Sequence, residues 1–396
     1  MKRLKSKRKG VSPASIWISL VFAAASSGSV HAQKVDRLFH QPGIPSEESP
    51  RNDAGLYHGL RKFYDPQQRL IRSIEFANGD EHGDEKIFDE SGRLVKLVQW
   101  QEGRKHGAET SFFPDGTKNS VTPYREGVPW GPFVSFWRPG IKQEEGTYVR
   151  GRREGVLKKW SESGTLHYEA LMADGRLADN GYEKEWTADG ALREERKFKG
   201  GKLTEKKTFH PNGRVASDES YTEGNLETFR SFHENGKPFE VKTYKNGIKH
   251  GAFERRNDQG QVEEITTFKD GYLDGQATQF FSDGKEKVIR KYKNGEKDGV
   301  ETEKFQSGSN RSVLRWQKGE IEGDGEFFYE SGKTMCHVSY TKGDRHGPMR
   351  CYYQTGVLRY EAMYERGQIQ SLKWFGPDGK ALHEVKSAAE WDTTIP

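Results

Sequence analysis

The sequence predicts an all-β chain, an elongated antiparallel array of about fourteen β-hairpin repeats arranged as a meander or solenoid, with units of 24 residues. Three observations carry this prediction. Glycines return at a fixed interval, an aromatic ring stands at a fixed offset before most of them, and only 32% of the 396 residues are apolar. That share lies below the roughly 45–50% of globular domains, too little for a deep core. The apolar content is held in rings, 12% of the chain, set between turns among 45 glycines.

Residues 1–32 stand apart from this pattern. Lys2, Arg3, Lys5, Lys7, Arg8 and Lys9 precede a mostly apolar run from Ile16 to Ala25, and Val30-His31-Ala32 offers a cleavage site before Gln33. A basic start, a short apolar stretch and a small residue at the cut define a cleavable signal peptide. The run falls short of the about 20 residues that a spanning helix needs, so membrane anchoring is the lesser expectation. The mature chain is expected to be exported, to the periplasm or the extracellular space. Its charge then changes: 64 Lys and Arg face 59 Asp and Glu overall, and losing the six bases of residues 1–32, which hold no acid, leaves 58 against 59. A near-neutral chain with interspersed Lys and Glu lacks the clustered basic surface that nucleic acid requires.

Residues 33–54 are polar, carry Pro42, Pro45 and Pro50 and have no period, so they are expected to form a flexible leader. The ruler occupies residues 55–379. Gly55, Gly79, Gly103, Gly127, Gly151 and Gly175 lie 24 residues apart, as do Gly247, Gly271, Gly295, Gly319, Gly343 and Gly367. Gly201 and Gly224 join the two runs with steps of 26, 23 and 23. A second glycine usually follows four residues later, as in GDEHG, GRKHG and GEKDG, and a third follows Asp, Asn or Ser, as in PDG, PNG and ESG. Asn-Gly and Asp-Gly suit the positive φ of tight hairpin turns, and the segments between are too short for stable helices. Each unit is therefore strand, tight turn, strand, longer turn. Residues 380–396 show no further glycine ruler and form a C-terminal tail or a cap on the last strand, whose bare edge would invite aggregation.

Rings fall in two columns. Three residues before the anchor glycines stand Phe76, Trp100, Tyr124, Tyr148, Phe198, Tyr221, Tyr244, Phe268, Tyr292, Trp316, Tyr340 and Tyr364, with Met172 as the exception. The second column runs from Tyr64, Phe88 and Phe112 to Phe328 and Tyr352, broken by Arg256 and Lys304. In a sheet these predict two structural ladders in which each ring packs on the ring of the next repeat. Which face each column occupies depends on turn lengths and stays open.

The Asn-Gly-x-x-x-Gly step, the ring before it and the second Asp-Gly or Asn-Gly resemble the bacterial variant of the MORN repeat, found in tandem in YwqK-type proteins labelled antitoxins. The resemblance covers Gly55 to about Lys380. It implies an elongated, twisted antiparallel meander, used in protein scaffolding and lipid contact, or an antitoxin with a partner toxin.

Chemistry has little foothold. The stretch from Ser282 to Gly299 offers single acids beside glycines and no following helix, so it is neither a calcium loop nor a phosphate loop. His58, His82, His106, His250 and His346 share the slot before the second glycine, where Trp130, Glu154, Asp274, Asp298 and Glu322 stand in other units. Equivalent residues lie two strands apart, about 9.5 Å, too far for one zinc ion that holds its ligands at about 2.0–2.1 Å. No nucleophile elbow or His-Glu-x-x-His pattern occurs, so no catalysis, metal or cofactor is expected. Trp130 and Trp137 fall outside the ring columns and are candidate binding residues for a peptide or sugar, or extra packing at a proline-rich turn. Cys336 and Cys351 flank the Gly343 turn almost symmetrically and are a candidate disulfide in an exported chain, although a one-residue slip would set them on opposite faces. The three irregular central units suggest either a bend or repeat drift. The function expected is a non-catalytic exported scaffold for protein–protein interaction; an antitoxin, or an envelope element contacting lipid or cell wall, is the alternative.

Overall fold

The computed structural model describes residues 34–385, which form short antiparallel strands with no helix among them. They fall into two compact units, one ending at Gly190 and the other starting at Ala191. Within each unit strands pair in chain order. In the first, Leu70–Ala77 pairs with Asp80–Phe88, and that strand with Leu94–Gln101. In the second, Thr334–Thr341 pairs with Asp344–Tyr352, and that strand with Leu358–Glu365. The hairpin meander predicted from the glycine ruler is thus the observed architecture.

The tight turns take the backbone that Asn-Gly predicts. Asn78 has φ +52° and Gly79 +103°, two successive left-handed residues, as in a type I′ turn whose twist matches the flanking strands. Glu102, Arg150 and Lys318 adopt the same conformation near +50°, although a side chain there costs about 1–2 kcal/mol.

Bulge length explains the uneven ruler. In a regular unit Phe76 faces Glu81 and Ile74 faces Glu85, so two steps on one strand match four on the other. At the 23-residue steps Tyr221 faces Leu226 and Ser220 faces Thr228, one step against two. At the 26-residue step Met172 faces Leu177 and Ala170 faces Glu183, two against six. The surplus is two residues in the regular unit, one in the short unit and four in the long one, which reproduces the spacing. Loss of the second glycine therefore remodels the bulge and leaves the ladder antiparallel.

Neighbouring hairpins are stitched at both edges. The amide of most anchor glycines donates to a carbonyl in the preceding turn, as from Gly79 to Tyr57 (2.8 Å) and from Gly343 to Ile321 (3.0 Å). Among the described residues the corresponding bond is missing at Gly224 and Gly247. At the opposite edge, the residue after the second ring column donates to the carbonyl of that column one hairpin on: His40 to Tyr64, His210 to Phe232, Tyr329 to Tyr352 and Tyr353 to Phe375, at 2.7–3.0 Å. Lysines after the third glycine do likewise, Lys285 to Gln306 and Lys333 to Gln354. A lone hairpin is marginal in water, so such bonds between units help make the array the folding unit.

The columns lie on opposite faces. Phe76 shares its face with Ile74, which is 1% exposed, and with Val98 at 2%. The Tyr64 hydroxyl instead donates to Glu48 (3.2 Å), opposite Lys62, and Tyr352 meets His337, which points away from Val338. Ring-on-ring ladders are not what forms in the anchor column. Equivalent rings are two strands apart, about 9.5 Å, beyond the about 4.5–7 Å of ring contact. Another side chain sits between them: Lys105 lies over Tyr124 (5.0 Å) and opposite Trp100, and Lys297 lies over Trp316 (3.9 Å) and opposite Tyr292. The first face is an interleaved column of rings, cations and aliphatics.

The flexible leader expected over residues 33–54 is corrected by the structure. Lys34–Gln41 and Ile44–Arg51 form a hairpin that continues the sheet through Glu48 opposite Lys62. Phe39-His40-Gln41-Pro42-Gly43 parallels Phe209-His210-Pro211-Asn212-Gly213, and His40 makes the same stitch as His210. Asn52 occupies the ring position before Gly55, which hid the unit. At the other end, Ala381–Val385 adds a strand to Gln368–Phe375 and buries Val385 to 4% exposure. The signal peptide over residues 1–32 and the tail from Lys386 lie outside the described residues.

Candidate functional site

The histidine slot is a structural device. In six units among the described residues, the residue before the second glycine accepts the backbone N–H of the left-handed residue in the next turn. His58 and His250 do so through Nδ1 (3.4 and 3.5 Å), Glu154 toward Asp174 (3.0 Å), Asp274 toward Asn294 (3.1 Å) and Glu322 toward Lys342 (2.8 Å). What His, Asp and Glu share is an acceptor of suitable reach. Among the described residues no group of His, Cys, Asp and Glu is placed to hold a metal ion.

The two tryptophans part company. Trp137 follows Phe136 of the second column, is 41% exposed, and donates its indole N–H to the Trp160 carbonyl at 2.8 Å, the stitch that His and Tyr make elsewhere. Trp130 fills the acceptor slot, which an indole cannot serve because it only donates. Its ring stands under the Arg125 guanidinium (5.6 Å), and its amide bonds to Pro123 (2.9 Å).

Close to both along the chain, between Gly131–Arg138 and Tyr182–Trp186, lies a hollow of about 720 Å³. Pro132, Val134, Thr147 and Val156 line it, with Glu145, Lys158, Glu169 and Tyr182 supplying its polar groups. Cross-strand register puts Val134 opposite Glu145, and Lys158 opposite both Glu145 and Glu169, so these side chains share the face that carries the second ring column. Lys158 and Glu169 pair at 3.5 Å, and the Tyr182 hydroxyl donates to Glu169 at 2.8 Å. Val156 is 42% exposed. Gly146 lies beside the hollow; on the other face the Phe133 ring covers it and meets Tyr148 at 4.5 Å. Sequence reasoning selected Trp130 and Trp137 and missed this hollow. The available signal was Gly146 in a row that elsewhere holds Ile74, Val98 and Ala170.

Two charged groups are held inside the first unit. Glu85, its side chain 8% exposed, accepts from Arg72 (2.6 Å) and from the Trp100 indole (2.9 Å). Burial pushes the Glu109 carboxyl up, but hydrogen bonds from Lys105 and Lys96 outweigh it and hold the group below its ordinary value. In the second unit Cys336 stands opposite Cys351 and is bonded to it. The disulfide lies among Val338, Met349, Ala362 and Leu372, the main apolar cluster there.

Together the hairpins and their stitches define a tandem β-hairpin repeat protein. The family model described as MORN repeat variant matches residues 228–246 and 345–366. No curated protein matches the chain. Among solved structures it is similar to a Tc holotoxin pore of Photorhabdus luminescens carrying a TccC3 mutation, at 12% identity over 91% of this chain and 28% of that one, TM-score 0.15. It is also similar to a TcdB2-TccC3 structure, at 12% identity over 91% and 31%, TM-score 0.12. The chain spans less than a third of those proteins, and at these TM-scores the likeness carries no argument.

Proposed function

We propose that the protein is a non-catalytic, exported repeat scaffold that binds another protein through the hollow of its first unit. The carrying observation is the hollow itself: an aliphatic floor at Pro132, Val134 and Val156, rimmed by Glu145, Lys158 and Glu169. An apolar centre with a charged rim is the usual anatomy of a protein interface. At the rim Lys158 and Tyr182 are both engaged with Glu169. The basic and apolar opening of residues 1–32 and the Cys336–Cys351 bond support export, since disulfides persist in oxidising compartments.

The test is a crosslinked pull-down with the tagged chain from Gln33 to Pro396, beside a Val134→Lys/Val156→Lys variant, against envelope and cytosolic fractions read by mass spectrometry. Envelope proteins captured by the parent chain and lost with the variant support the scaffold. One small protein recovered near stoichiometrically would replace that reading by an antitoxin or immunity role. Recovery of lipid or wall material without protein would make the chain an envelope structural element, and a partner indifferent to the variant removes the hollow from the proposal.

A further inference from the structure

In the second unit the edge opposite the anchor glycines carries a ring on each of four consecutive hairpins: Phe281, Phe305, Tyr329 and Tyr353. They occupy the stitch position, yet Phe281 and Phe305 have no donor to stitch with. Three have a cation over the ring: Lys287 over Phe281 (5.8 Å), Arg311 over Phe305 (5.9 Å) and Arg359 over Tyr353 (5.7 Å). Tyr329 and Tyr353 are held in place by their hydroxyls, which donate to Tyr352 and Phe375 at 2.7 and 3.0 Å. These platforms recur at the two-strand interval of about 9.5 Å.

At Phe305 the edge opens into a hollow of about 490 Å³. Its floor is Ser312, 7% exposed, which stands between Glu303 and Phe327 in the cross-strand row. Phe305, Phe327 and Tyr329 form an aromatic wall, and Glu303 with Arg311 forms a polar one. Lys304 interrupts the second ring column here, and its amine turns to Glu286 (2.7 Å). Arg311 Nη1 donates to Glu303 Oε1 at 3.1 Å, and the arginine side chain is 60% exposed. That is one of the five N–H donors of a guanidinium, and Glu303 Oε2 carries no bond among the described residues. The pair is neutral overall and presents donors beside an acceptor.

We propose that this edge binds a linear neutral oligosaccharide, extended and β-1,4-linked, with one sugar ring in the Phe305 hollow. The strands around the hollow pair on both sides, so their amides and carbonyls are engaged in the ladder and an added peptide strand has no edge to join. Recognition falls to side chains: aromatic faces for the C–H face of a pyranose, and the Glu303–Arg311 pair for its hydroxyls. A hollow of this volume is within the range of small-molecule clefts. Equivalent faces of an extended β-1,4-linked glycan recur at every second sugar, which suits a platform on each hairpin.

Isothermal titration of the full chain with the β-1,4-linked N-acetylglucosamine hexamer tests the proposal, with maltohexaose, α-linked and helical, as the control. Saturable binding of the first, weaker binding of the second, and a loss of about tenfold or more in affinity for Arg311→Ala and for Phe305→Ala is the expected result. Arg311 is exposed, so Arg311→Ala tests the site even where Phe305→Ala fails to fold. No heat with the hexamer at millimolar concentration, equal binding of both sugars, or unchanged affinity in Arg311→Ala overturns it.

Discussion

Glu322→Ala isolates one stitch. Lys342 sits at φ +50°, a conformation that costs a lysine about 1–2 kcal/mol, and its N–H donates to Glu322 Oε2 at 2.8 Å. A hydrogen bond to a charged partner contributes about 1.5–3 kcal/mol. Glu322 is half-buried, and solvent competition reduces the expected loss to about 1 kcal/mol. By the relation of about 1.4 kcal/mol per factor of ten, the Lys342 amide should exchange about fivefold faster in Glu322→Ala. Glu322→Gln keeps a side-chain oxygen and should retain most of the protection. Native-state hydrogen exchange of the three proteins, read at Lys342 and at the unaltered Asn294 turn, measures this. Unchanged exchange at Lys342 in Glu322→Ala refutes the acceptor role; equal damage from Glu322→Gln would mean that charge matters and the bond does not.

Gly146→Ala should destabilise the first unit by about 1–3 kcal/mol, measured by chemical denaturation, because the new Cβ would stand 2.9 Å from Phe133 Cε1 and 3.2 Å from Leu157 Cδ1. Replacing Cys336 and Cys351 together by Ala should cost the second unit up to about 3 kcal/mol, the chain-entropy value for their separation of 15 residues, and leave the melting of the first unit unchanged. Acid should weaken the first unit. The Glu109 pKa is lower folded than unfolded, so its stabilisation is complete above the unfolded value of about 4.5 and fades as pH falls through the folded one. Urea midpoints should hold between about pH 6 and 8 and fall below about pH 4.5, with a shallower fall in Glu109→Gln.

Much of the fold was legible because the turns are written in local chemistry: Asn78-Gly79 and Asn294-Gly295 can hardly do anything but reverse the chain. The faces were not legible. Parity across a turn depends on whether the bulge adds one, two or four residues, and that appears only in the register, as at Tyr221 and Leu226 against Phe76 and Glu81. The two-strand spacing that separates the histidines separates the rings equally, so the interleaving of Lys105 between Trp100 and Tyr124 follows from an argument available at the start. The candidate sites were least legible. Trp137 is conspicuous as a residue and is engaged as a stitch, whereas Val134 and Val156 are ordinary residues made notable by the concavity around them. The glycine at Gly146 beside the first hollow, and the small Ser312 beside Phe327, are departures from the period that composition cannot translate into shape.

Stability should be unequal along the second unit, for a reason written in its central row. Near the start the row on the anchor-ring face holds Arg196, Lys206, Glu219, Phe229 and Lys242, one ring among four charges; near the end it holds Val338, Met349, Ala362 and Leu372. Lys242 is sheltered by Phe229 (5.1 Å) and Phe253 (5.5 Å), and Lys206 lies 3.8 Å from Glu219. Covering charges in this way roughly offsets the water they lose, whereas covering apolar surface stabilises by about 25 cal/mol per Å². The charged stretch also contains Gly224 and Gly247, where the turn-to-turn amide bond is missing among the described residues. In a repeat array each hairpin depends mainly on its neighbours, so opening should begin where both contributions are weakest. Amides of Val215–Thr222 and Pro238–Lys245 should therefore exchange faster than those of Thr334–Thr341 and Leu358–Glu365. Uniform protection across the four strands would mean that the unit opens as one cooperative block, and that the charged row is as stabilising as the apolar one.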